Sequence, residues 1–495
     1  MKKLRFNILI EKSFLIVIAM LILITILTSY YGSIDIGDYA DVAKFFAGKY
    51  SADIRGSHSY LYGYLHSPLV YIFGSFFIFK ITSLIFLILI IYSVYSITGK
   101  SKRSSWLILL SPAVWYIAPW INPIQLASLF LLWGWYFIVR YNKYLKIKSL
   151  LYSGIFLGLG LAVWDTILFI IIFLIIPFLF DKKVSHLFYF FIFILIGLVP
   201  RLILDQLLFN FPFYTIIKSS LGTIANIFGG IYGSSGHTPK NIINLISVFL
   251  AIPLYFWSLF RVSYFVQHKR SILFLSLSLI LILTNPQIRY VLSLVPIMIV
   301  LLSNHINKKQ FKVQIIFSLI ISLVFIMPYI IQINNGIGSS VKGIEFTSFL
   351  DNISNFSLSK ESPSELIKQD IEEIVLKFPN ETFIVGNSPD DYALLARIYW
   401  GNKVNEFVSI QDYELWVNNE SVLFEKRFEP ISNINDRRTF WISGGIGKNE
   451  NDSTDYENIE YGIGINEPIN IKGFIAIKKY NILHLSKKAN IIILA

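Results

Sequence analysis

The chain has 495 residues, 55% hydrophobic, 16% aromatic and only 15% charged, with a mean hydropathy of +0.60, which excludes a soluble globular protein of this length and leaves a polytopic membrane protein. The net charge of +12 comes from Lys and Arg gathered in short loops between apolar runs, a pattern of membrane topology, so no nucleic-acid partner is expected. Cysteine is absent, which removes disulfides, thiolate metal sites and cysteine nucleophiles together.

Met1 to Lys12 is basic and an apolar segment follows, but Leu27-Thr28-Ser29-Tyr30-Tyr31 offers no small-residue cleavage site, so a retained anchor is expected. The loop at 32–67 comes next, with Asp35, Asp38, Asp41, Asp53, Arg55, His58 and His66 interleaved with tyrosines. Tyr39, Val42, Ala43 and Phe46 recur at helical spacing, which predicts an amphipathic helix over 38–48 lying on the membrane surface. Asp38 is then either its N-cap or a functional acid, whereas Asp35 precedes the helix, where a cap role is less natural and a carboxylate at a bilayer face is a functional candidate. His58 and His66 are polar loop residues or substrate contacts. No second cluster supplies the ligand spacing of a zinc site, and a divalent metal has no support.

Apolar runs predict eleven crossings, at 14–31, 78–98, 105–119, 123–139, 150–163, 166–180, 187–204, 241–260, 271–284, 288–303 and 313–333. Three runs, 105–139, 150–180 and 271–303, are split into hairpins. Even the shortest, as one helix, would be about 46 Å long against a hydrocarbon core of about 30 Å. The inner loops then hold 19 Lys and Arg and the outer loops before Asn334 hold 7, which puts the amino terminus inside and the carboxyl terminus outside.

This parity gathers the 32–67 loop, the 201–240 loop and three polar hairpin turns on one outer face. The first turn, Trp120 to Gln125, offers Gln125 as a substrate contact, and the second, Trp164-Asp165-Thr166, offers Asp165 as a contact or as the structural partner of an arginine. In the third, Asn285-Pro286-Gln287-Ile288-Arg289, the arginine either snorkels or binds an anion, since a guanidinium suits a phosphate bidentately. Arg201 is a second candidate cation, although Asp205 one helical turn on makes a local ion pair its alternative. The 201–240 loop alternates aromatic and glycine-rich pieces and ends near His237, a further candidate contact; no phosphate-loop motif for nucleotide triphosphates lies in it.

From Asn334 the chain is polar. Ser362, Pro363 and Glu365 begin a helix running to about Phe378, Thr382 to Val385 reads as a strand, Pro389 to Trp400 as a helix and Val404 to Val408 as another strand. The expected fold is thus a membrane module over 1–333 and an extracytoplasmic α/β domain over 334–495. Sequons at Asn352, Asn355, Asn380, Asn419 and Asn451 agree with an outer location.

The order of these features resembles that of the GT-C glycosyltransferases, which use polyprenyl-phosphate sugars. Members related to protein O-mannosyltransferases and lipid A aminoarabinose transferases show Asp-Glu-x-x-Tyr-x-x-x-Ala after the first helix; here Asp35-Ile36-Gly37-Asp38-Tyr39-Ala40-Asp41-Val42-Ala43 keeps the frame, with Ile36 where the Glu is expected. Ser67-Pro68-Leu69-Val70-Tyr71, the Trp120 turn, Gly154-x-x-x-Gly158-Leu159-Gly160, Arg289-Tyr290 and Pro296 complete the match over about residues 10–335. The oligosaccharyltransferase signature W-W-D-Y-G is absent.

The resemblance implies a polytopic α-helical membrane protein of the GT-C type in the cell membrane, with Asp35 as base and Arg289 at the lipid phosphate. It implies transfer with inversion of a hexose such as mannose from a polyprenyl- or dolichyl-phosphate carrier to an extracytoplasmic protein, lipid or glycan, with no nucleotide donor and no obligatory metal. A lipid-linked sugar transporter or flippase, and a non-catalytic membrane assembly subunit, are the alternative readings; no internal repeat of the kind many transporters carry is present.

Overall fold

The computed structural model describes residues 12–28, 39, 42, 43, 45–48, 59–73, 77–120, 122–180, 182–217, 219, 220, 242–284, 286–303 and 305–335, and six strands beyond them. The chain divides into two compact units, one of Met1–Leu27, His58–Leu61 and Lys80–Met327, the other of Thr28–Ser57, Tyr62–Phe79 and Pro328–Ala495.

Helices α1 (Lys12–Leu27), α2 (Leu61–Phe73), α3 (Phe77–Ile97), α4 (Lys102–Leu109), α5 (Pro112–Ile117), α6 (Ile124–Tyr144), α7 (Ile147–Val163), α8 (Ile167–Leu179) and α9 (Val184–Phe209) come first. They are followed by α10 (Ile242–Ala251), a 3₁₀ segment (Leu254–Phe260), α11 (Val262–Thr284), α12 (Ile288–Val291), α13 (Val295–Ser303) and α14 (Lys308–Asn335). Among the described residues five segments, Ile78–Ile97, Ile124–Tyr144, Val184–Phe209, Tyr264–Thr284 and Lys308–Met327, are long and apolar enough to cross a membrane. Together with the shorter apolar helices they make a multi-pass membrane protein.

Among the described residues each of the eleven predicted runs falls largely on helix, and three are interrupted. The 105–119 run is α4 and α5, broken ahead of Pro112; the 241–260 run is α10 and the 3₁₀ segment, broken at Pro253; the 288–303 run is α12 and α13. A proline lacks the N–H for the helical ladder and clashes with the preceding turn, which hydropathy alone does not register.

Helix α9 shows how a lipid-facing surface and a polar interior share one segment. Leu195, Val199, Ile203 and Leu207 form an exposed stripe at four-residue spacing, while Ile194, Leu198, Arg201 and Asp205 are buried on the opposite face. That face packs on α7 with almost no space between the backbones. A Cβ added at Gly158 would lie 2.1 Å from the Ile194 carbonyl oxygen, and one added at Gly197 would lie 2.3 Å from that of Ile155. Glycines at such a crossing let helix axes approach closely, which is how apolar helices associate where lipid removes the hydrophobic drive. On the neighbouring side, Ser153 Oγ of α7 donates to the Gly134 carbonyl of α6 at 2.8 Å.

The basic loops meet at one end of these helices. Tyr141 Oη lies 2.5 Å from His186 Nδ1, Arg270 donates to Asn142 Oδ1, and the His268 and His305 Nε2 atoms are 3.0 Å apart.

Beyond residue 335 the strands β1 (Thr382–Val385), β2 (Glu406–Ser409), β3 (Thr439–Ser443), β4 (Ile459–Ile465), β5 (Ala476–Leu483) and β6 (Lys488–Leu494) form one mixed sheet in the order β2-β1-β3-β4-β6-β5. Strands β2, β1, β3 and β4 run parallel, with Thr382 opposite Glu406 and Thr439, and β6 closes antiparallel on β4 and β5. The first predicted strand has the observed bounds and the second begins two residues later than expected. The predicted helices at 362–378 and 389–400 lie outside the described residues.

Replacing Gly158 by leucine is expected to cost about 3 kcal/mol or more, at or beyond the top of the usual range for overpacking, because the obstruction is backbone and cannot rotate away. Gly160→Ala is expected to be tolerated, since its Cβ would meet nothing nearer than 3.6 Å. Thermal unfolding of the two purified variants in detergent checks the contrast.

Candidate functional site

The end of α7 is the place to start, because a helix that stops inside an apolar bundle leaves carbonyls that need donors. The Gly160 carbonyl receives the Trp164 N–H at 3.0 Å, the Leu161 carbonyl receives Arg201 Nη1 at 2.9 Å, and the Ala162 carbonyl receives the Ser59 hydroxyl. Ser59 Oγ in turn accepts the Leu61 N–H at 3.2 Å, in the manner of an N-cap at the start of α2. Arg201, on α9 one turn beyond the glycine crossing, is fully buried. Its Nε donates to Thr215 Oγ1 at 3.0 Å and its Nη2 lies 2.5 Å from Asp165 Oδ1. Thr215 donates its hydroxyl to Asp205, 2.7 Å from Oδ2, which also receives the Thr215 N–H at 3.0 Å.

A second cluster is built on the turns. Trp164, extended at φ −145° and ψ 119°, separates α7 from α8, and its indole stacks on Tyr290 with centroids 5.9 Å apart. Arg289 is 9% exposed, with its guanidinium carbon 5.1 Å from the Tyr290 ring centre and 5.9 Å from that of Trp120. Its Nη2 donates to Tyr290 Oη at 3.3 Å. A desolvated guanidinium between aromatic faces is held by cation–π attraction worth about 2 kcal/mol, and its charge is little screened. The Trp120 carbonyl accepts from Ser83 Oγ at 2.9 Å and from Gln125 Nε2 at 3.2 Å, and the same Nε2 donates to the Ile117 carbonyl at 3.1 Å. Lys80 sits three residues before Ser83 on α3, 1% exposed and on the same helix face.

The three turns expected to share a face are thus joined by contact, through Arg289 to Trp120 and through Tyr290 to Trp164. Arg289, the last residue of the predicted turn, stands within the short helix α12. Asp165 pairs with Arg201 and not with Arg289. The local pairing expected between Arg201 and Asp205 is replaced by the Arg201–Asp165 ion pair, because close packing of α7 on α9 brings Asp165 to the guanidinium and Thr215 takes up the Asp205 carboxylate. Gln125 is fully buried as a cap for the end of α5. Asp35, Asp38, His58 and His237 lie outside the described residues. Lys80, Ser59 and Thr215 were not singled out by the sequence; a lone lysine at the edge of the 78–98 apolar run is the one signal available for Lys80.

His66 belongs to the second unit and is buried in it. Its Nδ1–H donates to the Tyr62 carbonyl at 2.7 Å, and its ring stacks on Phe79 at 4.1 Å between centroids. Tyr62 in turn meets Tyr39 edge-on, and Tyr39, Val42 and Ala43 of the predicted 38–48 helix are helical and buried. That apolar face therefore packs on α2, where a Cβ on Gly63 would come within 2.6 Å of Val42 Cγ1. Burial pushes the His66 imidazole down to about 4, outweighing the Tyr62 carbonyl, which favours the proton.

No family model matches the sequence, and no curated protein does. Two crystal structures of ArnT from Cupriavidus metallidurans share its fold. The one bound to undecaprenyl phosphate superposes with a TM-score of 0.55 and the apo form with 0.53, each at 9% identity and each over 97% of both chains. The likeness of fold runs over nearly the whole chain.

Because the unfolded chain takes up the His66 proton near pH 6.5 and the folded protein only near 4, this group's contribution is complete above 6.5 and is lost as the pH falls toward 4. His66→Phe is expected to flatten the acid side of the stability profile, with a difference on the order of 3 kcal/mol below pH 4. Melting temperatures of both proteins from pH 4 to 8 check it.

Proposed function

We propose that the chain is an integral membrane glycosyltransferase that draws its sugar from a polyprenyl-phosphate carrier, with Arg289 holding the lipid phosphate. The observation that carries the reading is the Arg289 guanidinium, buried between Trp120 and Tyr290 where three hairpin turns meet, in a fold solved elsewhere with undecaprenyl phosphate bound. Burial supports it, since in a low-dielectric surrounding a guanidinium and an anionic phosphate interact far more strongly than in water.

The chemistry asks for two more things. A departing lipid phosphate carries growing negative charge, which a preorganised guanidinium stabilises without reorganising at the moment of reaction. The acceptor hydroxyl must lose its proton, and Asp35, ionised at neutral pH with an ordinary pKa near 3.9, is the base we assign, with Asp38 as its neighbour. The donor sugar is a hexose such as mannose, transferred with inversion. The acceptor is an extracytoplasmic protein, lipid or glycan. The membrane module spans 1–333 with its amino terminus in the cytoplasm, and the 334–495 domain lies outside, in accord with the Lys and Arg distribution of the loops.

Purified protein given a labelled polyprenyl-phosphate sugar and an acceptor is expected to release polyprenyl phosphate, with Asp35→Asn lowering kcat by roughly a hundredfold or more. Arg289→Ala is expected to raise the donor KM about tenfold or more, a loss of 1.4 kcal/mol or greater. Movement of uncleaved label across sealed vesicles by the wild type would instead favour the transporter reading.

A further inference from the structure

Arg201 was read from sequence as a second cation for the donor, yet its guanidinium is turned inward on all three of its nitrogens. Nε meets Thr215 Oγ1, Nη1 meets the Leu161 carbonyl and Nη2 meets Asp165 Oδ1. Those partners come from two stretches of chain, the end of α7 with the turn directly after it, and the segment following α9. A fully buried guanidinium that donates from two nitrogens to protein acceptors and is neutralised at the third by a carboxylate is a poor partner for a phosphate. What it does have is reach. Asp165 is the residue next to Trp164, Trp164 stacks on Tyr290, and Tyr290 both stacks beneath the Arg289 guanidinium and accepts a hydrogen bond from it.

We propose that Arg201, Asp165 and Thr215 form a positioning network for Arg289, in which the buried Arg201 hub fixes the turn between α7 and α8 so that Trp164 and Tyr290 hold Arg289 in its phosphate-binding orientation. The network touches no substrate. It acts on donor affinity through the aromatic stack, and it rests on the reading of Arg289 given above. Asp205 completes it by fixing the Thr215 hydroxyl and backbone N–H, so that Thr215 Oγ1 presents its lone pairs to Arg201 Nε. Geometry of this kind is sensitive, since displacing a binding group by about 1 Å costs up to a hundredfold.

The test is the kinetic split in folded, membrane-reconstituted protein. Thr215→Val is expected to raise the donor KM about tenfold while kcat stays within about twofold, and Thr215→Ser, which keeps the hydroxyl, to restore the wild-type value. Asp165→Asn, close to isosteric, is a second route to the same KM effect. Tyr290→Leu removes the link, so combining it with Asp165→Asn is expected to add little to Tyr290→Leu alone, a coupling that independent effects do not show. Unchanged donor KM in folded Thr215→Val and Asp165→Asn proteins, or multiplicative effects in the double variant, would overturn the network. A wild type that releases no polyprenyl phosphate from labelled donor sinks the glycosyltransferase reading and the network with it, whereas an active wild type with unaffected variants sinks the network alone.

Discussion

The organisation of this protein depends on one requirement, that a helix ending within an apolar bundle must have its last carbonyls met by protein donors because water is scarce there. Three such endings among the described residues are served by side chains. Where α4 stops, the Leu109 carbonyl takes the Trp115 indole N–H at 2.7 Å and the Leu110 carbonyl takes Ser322 Oγ from α14 at 3.0 Å. Where α5 stops, Gln125 and Ser83 supply the donors. Where α7 stops, Arg201 and Ser59 do. The broken helices are therefore built features, capped by Trp115, Ser322, Gln125, Ser83, Arg201 and Ser59.

This requirement also explains why charge sits where it does. A guanidinium at the carbonyl end of α7 faces the negative end of the helix dipole, two hydrogen-bond acceptors and the Asp165 carboxylate, which offset the burial of Arg201. Removing one partner of such a pair costs about 3 to 5 kcal/mol, because the remaining charge stays buried. Arg289 is held differently, with the aromatic faces of Trp120 and Tyr290 and the Tyr290 phenol against its guanidinium. Two arginines of equal formal charge thus take on unlike tasks through their surroundings.

The close crossing of α7 and α9 is the condition for both. Without side chains at Gly158 and Gly197 the two backbones approach until Arg201 reaches the Leu161 carbonyl and the Asp165 carboxylate. The glycine run that carries part of the family resemblance is, in physical terms, the spacing device of the charge network.

Hydropathy and periodicity by themselves determined that the chain is a multi-pass helical protein, that helices break around Trp120 to Pro123, Trp164 to Thr166 and Pro286-Gln287, and that a strand lies at Thr382–Val385, because these follow from local composition and from the few conformations a Pro, Gly or apolar run allows. The Asp35 frame, the glycine run and the order of turns were also enough to suggest the GT-C architecture. Partnership was not legible. Asp205 lies one helical turn from Arg201, and sequence proximity made it the natural partner, but the ion pair goes to Asp165 on another element. Lys80 and Thr215 gave little sign of their burial, and Gln125 and His66 looked like surface contacts when they are packed inside. Which face a polar group meets depends on how closely two helices cross, and that distance is set by backbone packing between segments far apart in the chain, so only the tertiary structure decided it.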